Sequence, residues 1–362
     1  MKRIKKYLSV IALSSVMLVG CDADLLDVPN QNQPDFLKVY AKGDDVANVA
    51  SGLYNTIFKG LHHVATNREG LKPLLAVAAD NVTCSHGNFG MWHASSEPRD
   101  LAWDNSPSYS NEAYIRGTYN HLYSAIATAN NVIKAIESGV NIGPNGADND
   151  KVMAFARFIQ GVAYSHMALI YDRAHVVDEV SSVEGVLETA VPYNEVAAKA
   201  LEFLDKSIAL SNGNFTIPGS WMGVSGDISS ADFKKIVNTN AAILLSYMPR
   251  NKTELAGVSW DKVKAYADAG ITSDITIIMD GTTLWYDEAG DYLTYDGWGK
   301  TDMYVVHLMD PKQPNHWGNS ANPGHVASTT ADDQRLFSDF QYTPSNGSVR
   351  RGDDFNFFEL PA

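Results

Sequence analysis

Apolar residues recur three or four apart over long stretches of the chain, and polar connectors of variable length separate those stretches. The strongest run is residues 152–177. There Phe155, Phe158, Ile159, Val162, Met167 and Ile170 form a stripe on one face of a predicted α-helix. Small residues Ala154, Ala156, Gly161, Ala163 and Ala168 sit between the large ones, so a neighbouring helix can approach closely while Phe158 and Tyr164 fill the grooves beside it. Gly161 reads as a packing glycine and His166 as a core or half-buried histidine.

The same periodicity predicts further helices. Residues 44–61 carry Val46, Val49, Leu53, Ile57 and Leu61, and residues 111–138 carry Ile115, Tyr119, Leu122, Ile126, Ala129 and Ile133. Residues 195–210 repeat the pattern through Ala200, Phe203, Leu204 and Ile208, and residues 232–248 through Phe233, Val237 and Leu244 up to Pro249. A short helix follows, with Ser259 as N-cap. Successive starts near 111, 152, 195 and 232 suggest tetratricopeptide-like helical pairs, although the strict 34-residue signature is absent; an irregular helical bundle is the alternative.

After Gly270 the texture changes to short runs such as 275–279 and 304–309, broken by glycine and proline. The fold class read from this pattern is mainly α, a helical scaffold carrying a loop-rich lobe with short strands. Its predicted parts are a leader at 1–20, a tether at 21–36, the scaffold at 37–269 and the lobe at 270–362.

The leader has a basic start (Lys2, Arg3, Lys5, Lys6) and an apolar run to Val19, which is too short to span a bilayer. Leu18-Val19-Gly20-Cys21 looks like a lipobox, in which the Cys21 thiol is diacylated and becomes the mature N-terminus. Acyl chains partition at roughly 0.8 kcal/mol per buried CH₂, so the protein is expected to be anchored to a membrane rather than to span it. Losing the leader's four positive charges moves the formal balance from −14 to −18, which would repel phosphate backbones and excludes nucleic acid as a partner. With Cys21 acylated, Cys84 is the only thiol left and no internal disulfide can form.

Several strings carry a resemblance. The order ARFIQGVAYSHMALIYDRAHVV, with Arg157, Tyr164 and Tyr171, is similar to a helix of the SusD/RagB family, although Asp172 stands where that family usually has glycine. The string YNHLYSAIATANNVIKAI resembles another helix of the family, with Tyr119 in place of the usual tryptophan. Leu-Leu-Asp-Val-Pro in the tether, Asp80-Asn81, and Asp332-Asp333-Gln334-Arg335-Leu336 resemble further family steps, and Asp22 and Asp24 after the cysteine resemble a surface-export signal. The resemblance implies a lipid-anchored protein on the outside of the outer membrane. Such a protein binds a glycan or other nutrient and delivers it to a partner TonB-dependent, SusC-like barrel. Family members also continue through a further helix rich in Arg, Ala and Glu, so this product is either short by nature or truncated.

The candidate ligand-binding residues come from the lobe. Sugar rings have apolar faces that stack on aromatic side chains, while carboxylates and amides bond the hydroxyls around the rim. Trp285, Tyr292, Tyr295, Trp298 and Trp317, with Asp291 and Asp296, supply that mixture. A surface glycoside hydrolase would need two carboxylates roughly 5–10 Å apart, and among Asp287, Glu288, Asp291 and Asp296 no spacing singles out a pair. A structural or adhesin lipoprotein is the other rival, although the Arg351-Gly352-Asp353 tripeptide reads as a turn.

His62, His63, Cys84, His86 and His93 lack a His-Glu-x-x-His or Cys-x-x-Cys pairing, so no metal or other cofactor is expected. Gly223-Val224-Ser225-Gly226 is one residue short of a nucleophile elbow.

Overall fold

A computed structural model describes residues 36–62, 71–84, 91, 94, 104, 106–181, 189–279, 284–287, 299–315, 325–344 and 357–359. The chain is mainly α-helical. Helices α1 (Phe36–Val39), α2 (Gly43–Ser51), α3 (Leu53–Leu61) and α4 (Lys72–Ala78) lead to strand β1 (Val82–Cys84) and then to the long helices α5 (Glu112–Glu137) and α6 (Asn149–Ile170). Strands β2 (Arg173–Ala174) and β3 (Val191–Pro192) precede α7 (Tyr193–Leu210). Strands β4 (Thr216–Ile217) and β5 (Ile228–Ser229) precede α8 (Ser230–Tyr247), α9 (Lys252–Ala256) and α10 (Trp260–Asp268). The late part holds β6 (Gly299–Thr301), α11 (Met303–Met309), α12 (Arg335–Ser338), β7 (Gln341–Thr343) and β8 (Phe357–Glu359).

Each long helix packs on the next, α5 on α6, α6 on α7 and α7 on α8, while α3 lies against α5 and α10 against α8. Among the described residues every sheet is two-stranded and antiparallel. None of their helices is long and apolar enough to cross a membrane.

Helix α6 is the centre of the core, with Phe155, Phe158, Ile159, Ala163 and Tyr164 essentially inaccessible. Phe155 meets Trp221 edge-on at 5.0 Å and Phe158 meets Phe233 at 5.2 Å; such pairs each add about 1 kcal/mol beyond the area they bury. Gly161 is where α7 comes closest: a Cβ there would lie 2.6 Å from Leu204 Cγ and Cδ2.

Three expectations change, and one element left open is settled. The first predicted helix is two, broken at Gly52. The run at 152–177 stops being helical at Tyr171, whose backbone turns extended, because Arg250 donates to the carbonyls of Ala168 and Tyr171 and ends the helix there. Ser259 makes no side-chain cap, whereas Ser229, at the start of α8, accepts from the Asp232 amide at 3.1 Å. The short apolar run 304–309 is helical, capped by Asp302.

Candidate ligand-binding site

The residues that carry the helix resemblance have structural work. Beyond α6 the chain doubles back as an extended strap, and alternate residues of it are pinned. The Tyr123 hydroxyl accepts from the His175 amide at 2.6 Å and donates to the His175 carbonyl at 2.7 Å. Tyr164 does the same for Val177, at 2.8 and 2.7 Å. Arg157 then grips Glu179 through two bonds of 2.8 Å. A tyrosine hydroxyl that both donates and accepts replaces the neighbouring strand a single extended segment lacks.

Gln160 links this network to Asn130, donating to Asn130 Oδ1 at 2.7 Å, and Asn130 donates to the Val177 carbonyl at 3.3 Å. Tyr171 donates to the Ile115 carbonyl at 2.7 Å and meets the Tyr119 ring edge-on at 5.1 Å. Burial pushes the Tyr123, Tyr164 and Tyr171 hydroxyls up from their ordinary value, so they stay protonated as donors. Burial would also raise the Glu179 carboxyl, but bonds from Arg157 outweigh it and hold the group below its usual range.

The late lobe meets the scaffold at residues 284–287. Trp285 is 7 % exposed, inserted against Phe58 at 5.3 Å and Tyr54 at 6.2 Å on helix α3. Gly223, at φ +73°, covers the indole from the other side, and a Cβ there would come within 2.7 Å of the ring. Asn55 donates to the Leu284 carbonyl, and His62 Nδ1 bonds Asp287 Oδ2 at 2.6 Å. Strand β6, paired with β1 through Val82–Thr301, Thr83–Lys300 and Cys84–Gly299, ties the chain down again. The lobe is thus fastened to the scaffold on both sides of the segment between them in sequence.

That segment carries five of the candidate residues. Asp291, Tyr292, Tyr295, Asp296 and Trp298 lie outside the described residues, as do Trp317 and the acylation site Cys21. Trp285 lies inside them, and the structure gives its ring a packing role. Its ring fills a slot in the scaffold, because α3 offers two aromatic rings and Gly223 offers no side chain to oppose it. Asp333 in the Asp-Asp-Gln-Arg-Leu step bonds the Arg335 amide and side chain at 3.0 Å, and Leu336 packs with Val306 and Met309.

Sequence reasoning missed a cleft of about 400 Å³ beside residues 271–278. Its other wall is formed by Val224–Ile228 and the first turns of α8, with Asp227, Asp232, Asp274 and Lys235 at its edges. The signal was present as an isoleucine- and threonine-rich run between Gly270 and Gly281. No group of three or more potential metal ligands occurs among the described residues.

No protein-family model matches the chain, and no curated protein matches it. Among solved structures it is similar to a SusD superfamily protein from Bacteroides vulgatus, at 12 % identity and TM-score 0.49, over 89 % of this chain and 68 % of that one. It is also similar to a SusD/RagB family protein from Bacteroides thetaiotaomicron, at 15 % identity and TM-score 0.48, over 83 % of this chain and 56 % of that one. A SusD-like carbohydrate-binding protein from Bacteroides fragilis matches at 14 % identity and TM-score 0.37, over 58 % and 40 %. The chain thus spans between two fifths and two thirds of the length of these structures, and at such TM-scores the likeness carries no functional argument.

Proposed function

We propose that the protein is a SusD/RagB-like nutrient-capture lipoprotein, anchored through acylated Cys21 to the outside of the outer membrane. It binds an oligosaccharide or polysaccharide without cleaving it and passes it to a TonB-dependent barrel. The observation that carries this reading is the convergence of the residues behind the sequence resemblance. Asn130, Arg157 and Tyr164 meet in one hydrogen-bonded network, and Tyr119 and Tyr171 meet beside it.

The ligand-binding role falls to the lobe segment at 288–298, whose flanks are fastened by the Trp285 insertion and by β6. Tyr292, Tyr295 and Trp298 supply the aromatic faces on which a sugar ring stacks, with Asp291 and Asp296 as polar partners. Capture followed by release needs reversible binding of modest affinity, which stacking with few charged contacts supplies.

The partner claim is tested by isolating the tagged protein from outer membranes of its source organism in mild detergent. Co-purification of a TonB-dependent barrel, lost when Cys21→Ser releases the chain from the membrane, is the expected result. A protein that is membrane-anchored yet purifies without any barrel, before and after cross-linking, would contradict the delivery role.

A further inference from the structure

The run alongside the cleft has an unusual backbone state. At one end the Ile271 amide donates to Thr239 Oγ1 at 2.9 Å, and at the other the Ile278 amide donates to the Gly223 carbonyl at 2.8 Å. Between these ties, residues 272–277 make no main-chain hydrogen bond to any described residue. Residues 274–279 contain neither turn nor bend, and none of them has a positive φ. Thr272 and Ser273 form a bend, so the unbent part of the open main chain is residues 274–277.

Its side chains suit a strand. Thr272, Ile275, Thr276, Ile277 and Ile278 are all β-branched, the type favoured on pleated surfaces. Ile275 and Ile278 are 40 and 50 % exposed at the cleft. Unpaired donors and acceptors beside exposed apolar side chains are what an edge strand offers to another chain. Folded proteins usually blunt such an edge, and here a cleft lies open next to it.

Charge narrows the occupant. Three carboxylates, Asp227, Asp232 and Asp274, line the cleft against one cation, Lys235, whose Nζ already lies 2.9 Å from Asp232 Oδ1. Asp227 Oδ1 accepts from the Gly219 amide at 3.1 Å, while Asp274 has no partner of its own among the described residues.

We propose that residues 274–277 form a docking edge for an extended peptide segment of a partner protein. The segment adds as a strand in the cleft, with β-branched residues alternating with basic ones. This goes beyond nutrient capture and does not depend on it: main-chain pairing supplies affinity, and the acidic rim selects the basic side chain.

The test uses the detergent-solubilised full chain and the fluorescent peptide Val-Lys-Val-Thr-Val-Lys. Binding is expected with slowed hydrogen exchange at the amides of 274–277. N-methylation at alternate positions of the peptide should abolish binding in one register and spare it in the other. Replacing both lysines by glutamate should weaken binding about tenfold or more, a preference reduced in Asp274→Asn. Ile275→Pro, which removes a donor at an exposed position, should weaken binding without lowering the melting temperature of the scaffold.

Equal binding of both N-methylated registers would overturn main-chain pairing. So would unchanged exchange at 274–277 with every peptide, protection by polysaccharide alone, or protection only through self-association of the chain.

Discussion

Removing the Arg157 guanidinium should destabilise the fold by more than any surface ion pair could. The Arg157 and Glu179 side chains are 8 and 9 % exposed, and two bonds of 2.8 Å join them in a fork. Glu137, also near Arg157 at 3.4 Å, is 48 % exposed and contributes little. In Arg157→Ala the Glu179 carboxylate keeps the Gln160 amide at 3.3 Å but loses its cation while still largely out of water. Stripping one partner from such a pair costs about 3–5 kcal/mol, whereas replacing both by apolar residues is close to neutral. Urea unfolding should show that loss as a lower midpoint at unchanged slope, and Arg157→Met with Glu179→Leu should recover most of it. Because Glu179 is held below its ordinary 4.5, its contribution is complete above that pH and is lost as pH falls through the lowered value. The gap between wild type and Arg157→Ala should therefore narrow in acid. A loss below about 1 kcal/mol at pH 7 would refute the role given to the pair.

Gly161→Ala should cost about 1–3 kcal/mol by overpacking against Leu204, read by thermal unfolding, with partial rescue by Leu204→Ala. Trp285→Ala empties the slot between α3 and Gly223; about 3 kcal/mol should go, and proteolysis should first cut near 284–287, leaving the helical scaffold intact. Burial lowers the His166 and His325 rings to about 4 from 6.5, so their contribution is full above 6.5 and is lost as pH falls towards 4. Chemical denaturation at pH 5 should show a stability lower than at pH 7 by on the order of 1–2 kcal/mol per ring, much of it restored in His325→Phe.

The helices were legible because a buried face repeats every three or four residues, and Phe155, Phe158, Ile159 and Val162 leave little room for another period. The end of α6 was not. Val176 and Val177 continue the apolar texture, while the strap they belong to is held by Tyr123 and Tyr164, and the carbonyls at the end of α6 by Arg250, bonds that no local pattern records. Gly52 splitting α2 from α3 is likewise weak as a local signal, since glycine is tolerated within helical patterns.

At the lobe, composition revealed a concentration of aromatics but not which way each ring would turn. Trp285 and Trp298 look alike in a loop. Only the slot made by Tyr54, Phe58 and the bare backbone of Gly223 identifies Trp285 as a fastening. The cleft escaped notice because its walls, residues 224–228 with the start of α8 and residues 271–278, are far apart in sequence and meet only in the fold.

The central claim, binding without turnover, is tested most directly by calorimetry of the chain from Asp22 onward against a panel of polysaccharides, with product analysis of the same samples. The account predicts saturable binding to at least one glycan, recovery of that glycan uncleaved, and loss of binding in Trp298→Ala with the melting temperature unchanged. Released sugar, or a folded protein that gives no heat with any glycan, would contradict it.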